Sequence, residues 1–243
     1  MEYKYTGIIL NKRDIGETDR IYTIYTLEGG KIQALAKGIR KPQAKLAGVL
    51  ENFTLADITV MRTHGTGKIT SSIVEDNFKG IRNNLDILMG AFQSMHMFNR
   101  LVDLQYCDGE VFELLEEYLH SLNLLAQLEI SQKELQEKAA LLDLGFTVKL
   151  LNALGYTISV HACSSCGSVL SSRDTFFSAQ HGGMLCANCR PLIYNALTVN
   201  VNTIKMLRLF FGSKIGSLLK LKIQPKETAL AHTAVQSFLQ WVG

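Results

Sequence analysis

Two CxxC pairs are the residues of this chain best suited to bind a metal ion. Cys163 and Cys166 form the first pair and Cys186 and Cys189 the second, with nineteen residues between the pairs. Two intervening residues let both sulfurs of a tight turn reach one ion, and two such turns complete the tetrahedral shell that Zn²⁺ favours. Because all four positions are cysteine, no ligand place is left for water. The spacing therefore predicts one structural zinc ion bound by these four residues.

Two disulfides, a redox CxxC pair and simply buried cysteines are the alternative interpretations, and iron is the alternative metal. The amino-terminal sequence MEYKYTGIILNKRD contains five charged side chains and a short apolar run, so it predicts neither a signal peptide nor a membrane anchor. We therefore expect a cytoplasmic, reducing location, which disfavours disulfides. A redox pair would not need a second pair at this spacing. The fifth cysteine, Cys107, is expected to be a packing residue.

The charges are spread unevenly, although the net charge is only +3. Both ends of the chain are basic, whereas residues 101–145 contain ten acidic and two basic side chains. The segment 31–45 contains no acid, and its cations are Lys31, Lys37, Arg40, Lys41 and Lys45. Cations beside a glycine, where the backbone approaches closely, suit a polyanion such as nucleic acid. A solvated loop that is basic by chance is the alternative.

The first third of the sequence predicts a small β-barrel. Short β-branched or aromatic runs separated by turn residues predict strands at 5–13, 20–27, 31–37, 53–62 and 68–74. Five such strands close well into an OB-type barrel, which removes exposed edges and often binds single-stranded nucleic acid. The aromatic residues available for stacking on bases are Tyr3, Tyr5, Tyr22, Tyr25 and Phe53, most of which we expect in the core. We place the barrel domain at residues 1–78.

The rest of the chain predicts a helical domain, residues 79–243, with an inserted zinc module at about 161–191. Apolar residues recur at helical spacing between residues 79 and 156. Ser131 and Glu134 form a capping box that opens a long helix ending near Gly155. Helices resume at about 202–211 and 226–241 and have basic rims. The predicted fold class is thus α+β and multidomain.

Catalytic motifs are absent from the sequence. Arg62–Lys68 faintly resembles a phosphate-binding loop, but Arg62 stands where a glycine is needed and Ile69 where Ser or Thr is needed, so a hairpin turn is predicted. There is no GxGxxG after a strand, no GxSxG and no HExxH. We therefore expect a binding protein and not an enzyme.

Several motifs resemble the RecO family of bacterial recombinational-repair proteins. These are GETD (residues 16–19), TLEGGK (26–31) and AKGIRK (36–41), followed by FTVKLLNALGYTISVHACSSCG and FFSAQHGGMLCANC. Their joint occurrence in this order is specific, whereas the acidic middle matches only in helical character and length. The resemblance implies an OB-fold domain, a helical domain and an inserted zinc module.

The resemblance also implies a function without covalent chemistry. Family members bind single- and double-stranded DNA, anneal complementary strands and, with RecR, help RecA displace the single-stranded-DNA-binding protein SSB, whose acidic, apolar tail they recognise. Lys37, Arg40 and Lys41, which match the AKGxRK motif, are the expected phosphate contacts. Local charge adds Lys31, Lys45 and Arg13 as weaker candidates. We place the SSB-tail site, as a hypothesis, on the basic segment 202–226.

Two other classes of function remain as alternatives. A zinc-ribbon protein that binds RNA or acts in transcription would prefer RNA or fail to anneal DNA. A thiol oxidoreductase that uses one CxxC pair would have a reactive thiol of low pKa and a labile metal.

Overall fold

A computed structural model describes residues 1–62, 65–171 and 176–242, and the chain divides into two compact units. The first unit is Met1–Asn123 and the second is Leu124–Gly243. The first unit extends beyond residue 78, where the sequence predicts the end of the barrel domain, because helices that follow the barrel pack against it. For example, Phe53 of the barrel contacts Phe92 of a helix edge to face, with ring centroids 4.9 Å apart.

The first unit begins with five strands that close into a barrel. The strands are β1 (Glu2–Ile15), β2 (Asp19–Thr26), β3 (Gly30–Ala36), β4 (Leu55–Met61) and β5 (Gly67–Asp76). Each overlaps one predicted strand. Their order around the barrel is β1-β2-β3-β5-β4, and β1 also pairs with β4. This closed five-stranded barrel confirms the OB-like prediction. The turn predicted at Arg62–Lys68 includes Thr63 and His64, which lie outside the described residues.

Strand β1 is long enough, at 14 residues, to pair with both of its neighbours. Its first half pairs with β4 and its second half with β2, and a bulge interrupts the register between Ile9 and Asn11. Such a bulge bends the strand, which helps the sheet to close. The inward side chains, among them Tyr22 and Ile24, form the barrel core.

Three helices follow the barrel. They are α1 (Lys79–Asn83), α2 (Leu85–Leu101) and α3 (Gly109–Leu125). Helix α2 begins at an asparagine cap, because the side chain of Asn84 accepts a hydrogen bond from the backbone N–H of Ile87. Phe98 of α2 lies edge to face against Tyr25 of the barrel, with centroids 5.1 Å apart, so α2 covers one outer face of the barrel.

The second unit is built on the long helix α4 (Gln132–Ala153). Its amino-terminal cap is confirmed, since the side chain of Ser131 accepts a hydrogen bond from the backbone N–H of Glu134. Three short strands follow, β6 (Phe176–Ser178), β7 (Gly183–Leu185) and β8 (Leu197–Thr198), in the order β7-β6-β8. Helices α5 (Val201–Gly212) and α6 (Pro225–Val242) complete the unit close to where they were predicted. None of the helices within the described ranges has the length and apolar character needed to span a bilayer.

Candidate nucleic-acid interface and metal centre

The basic loop, residues 37–45, leaves the end of β3 on the surface of the barrel. Lys37, Arg40, Lys41 and Lys45 are all exposed there. These four are among the cations predicted to contact phosphate. The loop therefore brings the three principal candidates and one of the weaker ones together on a short stretch of backbone.

Residues of the GETD motif hold the basic loop in place. The Asp19 carboxylate accepts a hydrogen bond of 2.7 Å from the backbone N–H of Gly38, and the backbone N–H of Arg40 donates to the carbonyl of Thr18 at 3.0 Å. Gly38 has a φ of +64°, a left-handed conformation that favours glycine. The hydrogen bond from Gly38 lowers the pKa of Asp19, which keeps the acceptor ionised. Two separate sequence motifs thus form one structural element.

Apolar side chains that pack into the barrel core hold the same segment. Ile39, within the basic loop, and Leu50, just after it, are buried in the barrel core, and Leu46 packs against that core. Because these side chains point inward, the cations between them are directed to solvent. The loop is thereby attached to the barrel by its own apolar side chains, with its cations on the outside.

An acidic residue of β1 lies beside these cations. Arg20 donates a hydrogen bond of 2.6 Å from Nε to the carboxylate of Asp14, and Arg40 lies 3.5 Å from the same carboxylate. The hydrogen bond from Arg20, assisted by the charge of Arg40, lowers the pKa of Asp14. Sequence reasoning did not include Arg20. The register of β1 against β2, which pairs Asp14 with Arg20, places it there, and local pattern does not contain that register.

The remaining two predicted DNA contacts differ from each other. Arg13 is exposed on β1, next to Asp14. Lys31, in contrast, is only 6 % exposed, and its ammonium group donates to the backbone carbonyls of Asn99 and Val102 at the end of α2. These contacts bury the charge and satisfy carbonyls that the helix end leaves unpaired. Lys31 is therefore a structural residue here, and we remove it from the phosphate-binding set.

The aromatic residues of the barrel lie mainly in its interior, as expected. Tyr5, Tyr22, Tyr25 and Phe53 are buried. Tyr3 is the exception among these five candidates, with 37 % of its surface exposed. None of the four buried rings offers a face to a base.

The metal centre is formed by the four predicted cysteines. Their sulfur atoms all lie within 4.8 Å of one another, and the sulfurs of Cys166 and Cys186 are 3.7 Å apart. A tetrahedral site with metal–sulfur bonds of about 2.3 Å has sulfur–sulfur edges of roughly 3.8 Å. The four side chains therefore have the spacing that one tetrahedral ion requires, and they could hold a metal ion.

Two tight turns position these sulfurs. In the first, the backbone N–H of Gly167 donates to the carbonyl of Cys163 at 2.8 Å, and Gly167 has a φ of +73°. In the second, directly after β7, the N–H of Arg190 donates to the carbonyl of Cys186 at 3.1 Å. A hydrogen bond of 3.3 Å from the N–H of Cys186 to the sulfur of Cys163 joins the two turns. Backbone donors of this kind stabilise thiolate ligands.

The thiols do not titrate alike. Hydrogen bonding with Ser168 lowers the pKa of Cys166 to about 6. The hydrogen bond with Ser165 acts in the same direction on Cys189, but the neighbouring sulfurs of Cys166 and Cys186 outweigh it and raise the pKa of Cys189 to about 12. Ionisation of one thiol therefore opposes ionisation of its neighbour. Four thiolates at this distance require a cation among them, and soft sulfur ligands suit Zn²⁺ or iron.

Two family models match this chain, one in each half. The family described as recombination protein O N terminal matches residues 1–78, and the family described as recombination protein O C terminal matches residues 95–242. A DNA repair protein RecO of Dehalococcoides mccartyi (strain CBDB1) is 29 % identical over 241 residues, which cover 99 % of this chain and 90 % of that protein.

Relatives from other bacteria match over the same length. The DNA repair protein RecO of Anaeromyxobacter sp. (strain K) is 30 % identical over 240 residues, or 98 % of this chain and 90 % of that protein. The corresponding protein of Roseiflexus sp. (strain RS-1) is 28 % identical over 240 residues, or 99 % of this chain and 81 % of that protein. The N-terminal and C-terminal models of the family both match, and the structure has a closed OB-like barrel and four clustered cysteines. This chain therefore belongs to the RecO family of recombination proteins.

Proposed function

We propose that this protein is a cytoplasmic mediator of DNA repair and homologous recombination that catalyses no covalent chemistry. It binds single- and double-stranded DNA, anneals complementary strands and, together with RecR, promotes the loading of RecA onto single strands coated with SSB. The observation that carries the proposal is the basic loop, four exposed cations held on an OB-like barrel by the GETD turn. Relatives that match nearly the whole chain are named DNA repair proteins.

The physical task of the basic loop is to neutralise phosphate charge. Two single strands repel each other until cations lower that repulsion, and released counter-ions favour the complex. Lys37 and Lys41 supply ammonium groups and Arg40 a planar guanidinium, all on a loop attached to the barrel. These groups can hold two DNA backbones close together without any change to the bases. Because phosphate contacts carry no sequence information, annealing at this site is independent of sequence.

Annealing of two complementary DNA oligonucleotides tests this proposal, with fluorescence quenching as the readout. The wild type is expected to anneal the strands rapidly, and the variant Lys37→Glu/Arg40→Glu to lose at least about tenfold in rate, because the loop reverses its charge. Lys4→Glu/Lys79→Glu is a matched control, since both lysines are exposed in the same unit and the change of net charge is equal. Circular dichroism verifies the fold of each variant.

Three results would contradict the proposal. Absence of annealing by the wild type would exclude the activity itself. An equal loss in both double variants would show that net charge, and not the basic loop, is responsible. Preference for RNA strands would favour the RNA-binding zinc-ribbon alternative.

The metal in this proposal is one structural Zn²⁺ bound by the four cysteines. Four thiolates complete the coordination shell, so the ion stabilises the turns around it and offers no open position for a substrate. Iron has the same thiolate preference but colours the protein. A colourless protein with one zinc per chain by elemental analysis supports the assignment, and visible absorption with iron present refutes it.

We propose that the acidic, apolar tail of SSB binds a groove of about 850 Å³ in the second unit. Helices α4 and α6 line the groove together with the segment Leu221–Ile223, which lies inside the segment predicted from sequence. Leu141, Leu221 and Ile223 supply apolar surface. The lining also contains two acids, Glu134 and Glu137, and three lysines, of which Lys133 and Lys222 are exposed and without an ion-pair partner among the described residues. Apolar surface with unpaired cations matches an acidic, apolar peptide.

Fluorescence polarisation with a peptide of the SSB tail tests the groove. Lys133→Glu/Lys222→Glu is expected to weaken binding by about tenfold or more, because two favourable charges become repulsive. Lys205→Glu/Lys214→Glu is the matched control, because both lysines are exposed in the same unit but do not line the groove. Weakening by the control alone would move the site to the rest of the predicted segment, and no weakening by either would refute both positions.

A further inference from the structure

A second pocket, in the first unit, lies between the outer face of the barrel and helix α2. Its volume is about 440 Å³, which is within the range of small-ligand sites. Strands β1, β2 and β3 form its floor and α2 forms one wall. The face made by the second and third strands is where OB-type barrels generally hold nucleic acid. Of the residues singled out in the sequence, Lys31 also lines this pocket, with its ammonium group bonded to the end of α2.

The floor of the pocket is a row of neutral polar side chains. Asn11 on β1 pairs in register with Thr23 on β2, and Thr23 pairs with Gln33 on β3, so the three side chains stand side by side. The side chains of Thr23 and Gln33 make no hydrogen bond to any other described residue. Amide and hydroxyl groups both donate and accept, as the edges of nucleobases do. None of the side chains that line the pocket is a carboxylate, so a phosphodiester strand is not repelled.

The wall of the pocket presents an aromatic ring. Phe92 on α2 is 41 % exposed although it is a large apolar residue, and its contact with Phe53 fixes its position. His96, one turn further along the same helix, is also exposed. Stacking on a fixed ring is the usual way in which proteins hold an unpaired base, whichever base it is. An apolar peptide side chain would leave the polar floor without partners.

The outer face of β3 connects the pocket to the basic loop. Gln33, Leu35 and Lys37 alternate with the buried residues Ala34 and Ala36, so all three point to the same outer side. At about 3.3 Å per residue, Lys37 lies roughly 13 Å along the strand from Gln33. The row between them contains Arg13, Ile21 and Leu35, paired in register across the three strands. A continuous outer surface therefore runs from the polar pocket, across the half-exposed Ile21 and Leu35 and the exposed Arg13, to the four cations of the basic loop.

We propose that this pocket receives an unstacked nucleobase of a single DNA strand whose phosphates lie on the basic loop. The inference rests on the proposed function and adds to it a site that holds one base, whichever base it is. A base within a duplex is stacked and paired, so it does not enter a pocket of this kind. The protein would thus hold one strand with a single base in the pocket and its phosphates on the cations, which leaves the other bases free to pair.

The double variant Thr23→Val/Gln33→Leu tests the pocket, because it removes the polar groups of the floor with little change of shape. Binding is measured by fluorescence anisotropy for a normal single strand and for a strand of equal length built from abasic spacers. The wild type is expected to bind the normal strand at least about tenfold more tightly, as one stacked base predicts. In the variant this ratio is expected to fall several-fold. Thr70→Val/Gln93→Leu makes the same changes at exposed positions outside the pocket and is the matched control.

The outcomes separate the two proposals. A ratio near one in the wild type, or the same ratio in the wild type, the pocket variant and the control, would overturn the nucleobase pocket while leaving DNA binding by the basic loop intact. An equal loss on normal and abasic strands would show that the floor contacts the backbone, which would also overturn it. Failure of the wild type to bind either strand would overturn the proposed function and the pocket with it.

Discussion

The barrel and the cysteine module, residues 161–191, obtain a fixed geometry in different ways. Thirteen buried side chains form one cluster inside the barrel, and they include large residues such as Tyr22. The cluster around the metal centre contains four buried residues among those described, and two of them are Cys163 and Cys186. Burial of apolar area stabilises the barrel, at about 25 cal/mol per Å². A cluster as small as the second one buries little apolar area, and its four cysteines could hold a metal ion that would stabilise it.

The basic loop and the metal centre should therefore fail independently of each other. The basic loop depends on the hydrogen bond that Asp19 accepts from Gly38 and on side chains buried in the barrel, none of which involves a cysteine. The geometry of the cysteine module depends on four sulfur atoms that lie close enough together to bind one ion. Removal of the metal should therefore destroy one site and spare the other.

The largest expected effect is that of Cys163→Ser. Its sulfur is buried and receives a backbone hydrogen bond from Cys186, so its loss breaks the shell and the link between the two turns. We expect bound metal, measured by elemental analysis, to fall from about one ion per chain to near zero, since structural zinc supplies on the order of 10 kcal/mol to such modules. Limited proteolysis should then cut within residues 161–191.

The control for this prediction is Cys107→Ser, which changes an exposed cysteine outside the metal centre. It should leave the metal content at the wild-type value. Cleavage of Cys163→Ser within the barrel as early as within the cysteine module would refute the independence of the two regions.

The next largest effect is expected from Gly30→Ala, which should destabilise the barrel. Gly30 has a φ of +63°, and an added Cβ atom would lie 2.1 Å from the carbonyl oxygen of Tyr106. Because that oxygen belongs to the backbone, the clash is not relieved by a side-chain rotation. We expect the free energy of unfolding, measured in urea, to fall by roughly 3 kcal/mol.

Gly48→Ala is the matched control for the barrel. A Cβ atom added at Gly48 would meet no other atom within 4 Å, and the backbone there is not left-handed, so this change should be close to neutral. Metal content should be unaffected in both glycine variants. Loss of metal in Gly30→Ala would show that the cysteine module depends on the barrel.

The sequence predicted the cysteine cluster more completely than it predicted the basic surface of the barrel. Ligand spacing within a CxxC pair is local, so all four cysteines and the turns around them could be assigned from the chain alone. The five strands and the capping box of α4 were also predictable, because period-2 patterns and capping residues act over a few residues.

The misassignment of Lys31 has a physical reason. Its neighbours in sequence made it one cation among several, but its side chain lies against the end of α2, almost seventy residues later. The same limitation hid the polar row of Asn11, Thr23 and Gln33, which exists only once the register of three strands is known. Contacts between segments that are distant in sequence determine where these side chains lie, and a local sequence pattern does not contain those contacts.

A smaller effect is expected from Lys31→Met, which replaces the buried ammonium group with an apolar side chain. Loss of the hydrogen bonds to Asn99 and Val102 should cost about 1 kcal/mol at neutral pH. Burial lowers the pKa of Lys31 below its ordinary value of 10.5. Between the lowered pKa and 10.5 the unfolded chain binds a proton that the folded chain has released, so stability rises with pH.

The methionine variant should therefore lack that rise, when unfolding in urea is followed from neutral pH to about pH 10.5. Lys68→Met, at an exposed lysine of β5, serves as the control and should keep the wild-type slope. An identical slope in Lys31→Met would show that the ammonium group titrates as it does in water.

The smallest effect is expected from Asp19→Ala, which loosens the basic loop without removing a cation. Loss of the hydrogen bond to Gly38 should weaken binding of single-stranded DNA about threefold, because the loop must be ordered on binding. The slope of affinity against salt concentration should not change, whereas Lys37→Gln should lower it by about one, since only the latter removes a phosphate contact.

Glu17→Ala is the control that separates position from charge, because it removes an exposed carboxylate from the same turn. Loss of negative charge alone favours DNA, so this variant should bind equally well or more tightly. Asp19→Ala loses the same charge yet is expected to bind more weakly, and only its hydrogen bond to the basic loop explains a change in that direction. If both variants bind more tightly, the GETD turn influences DNA through charge, and the loop keeps its geometry through its buried side chains alone.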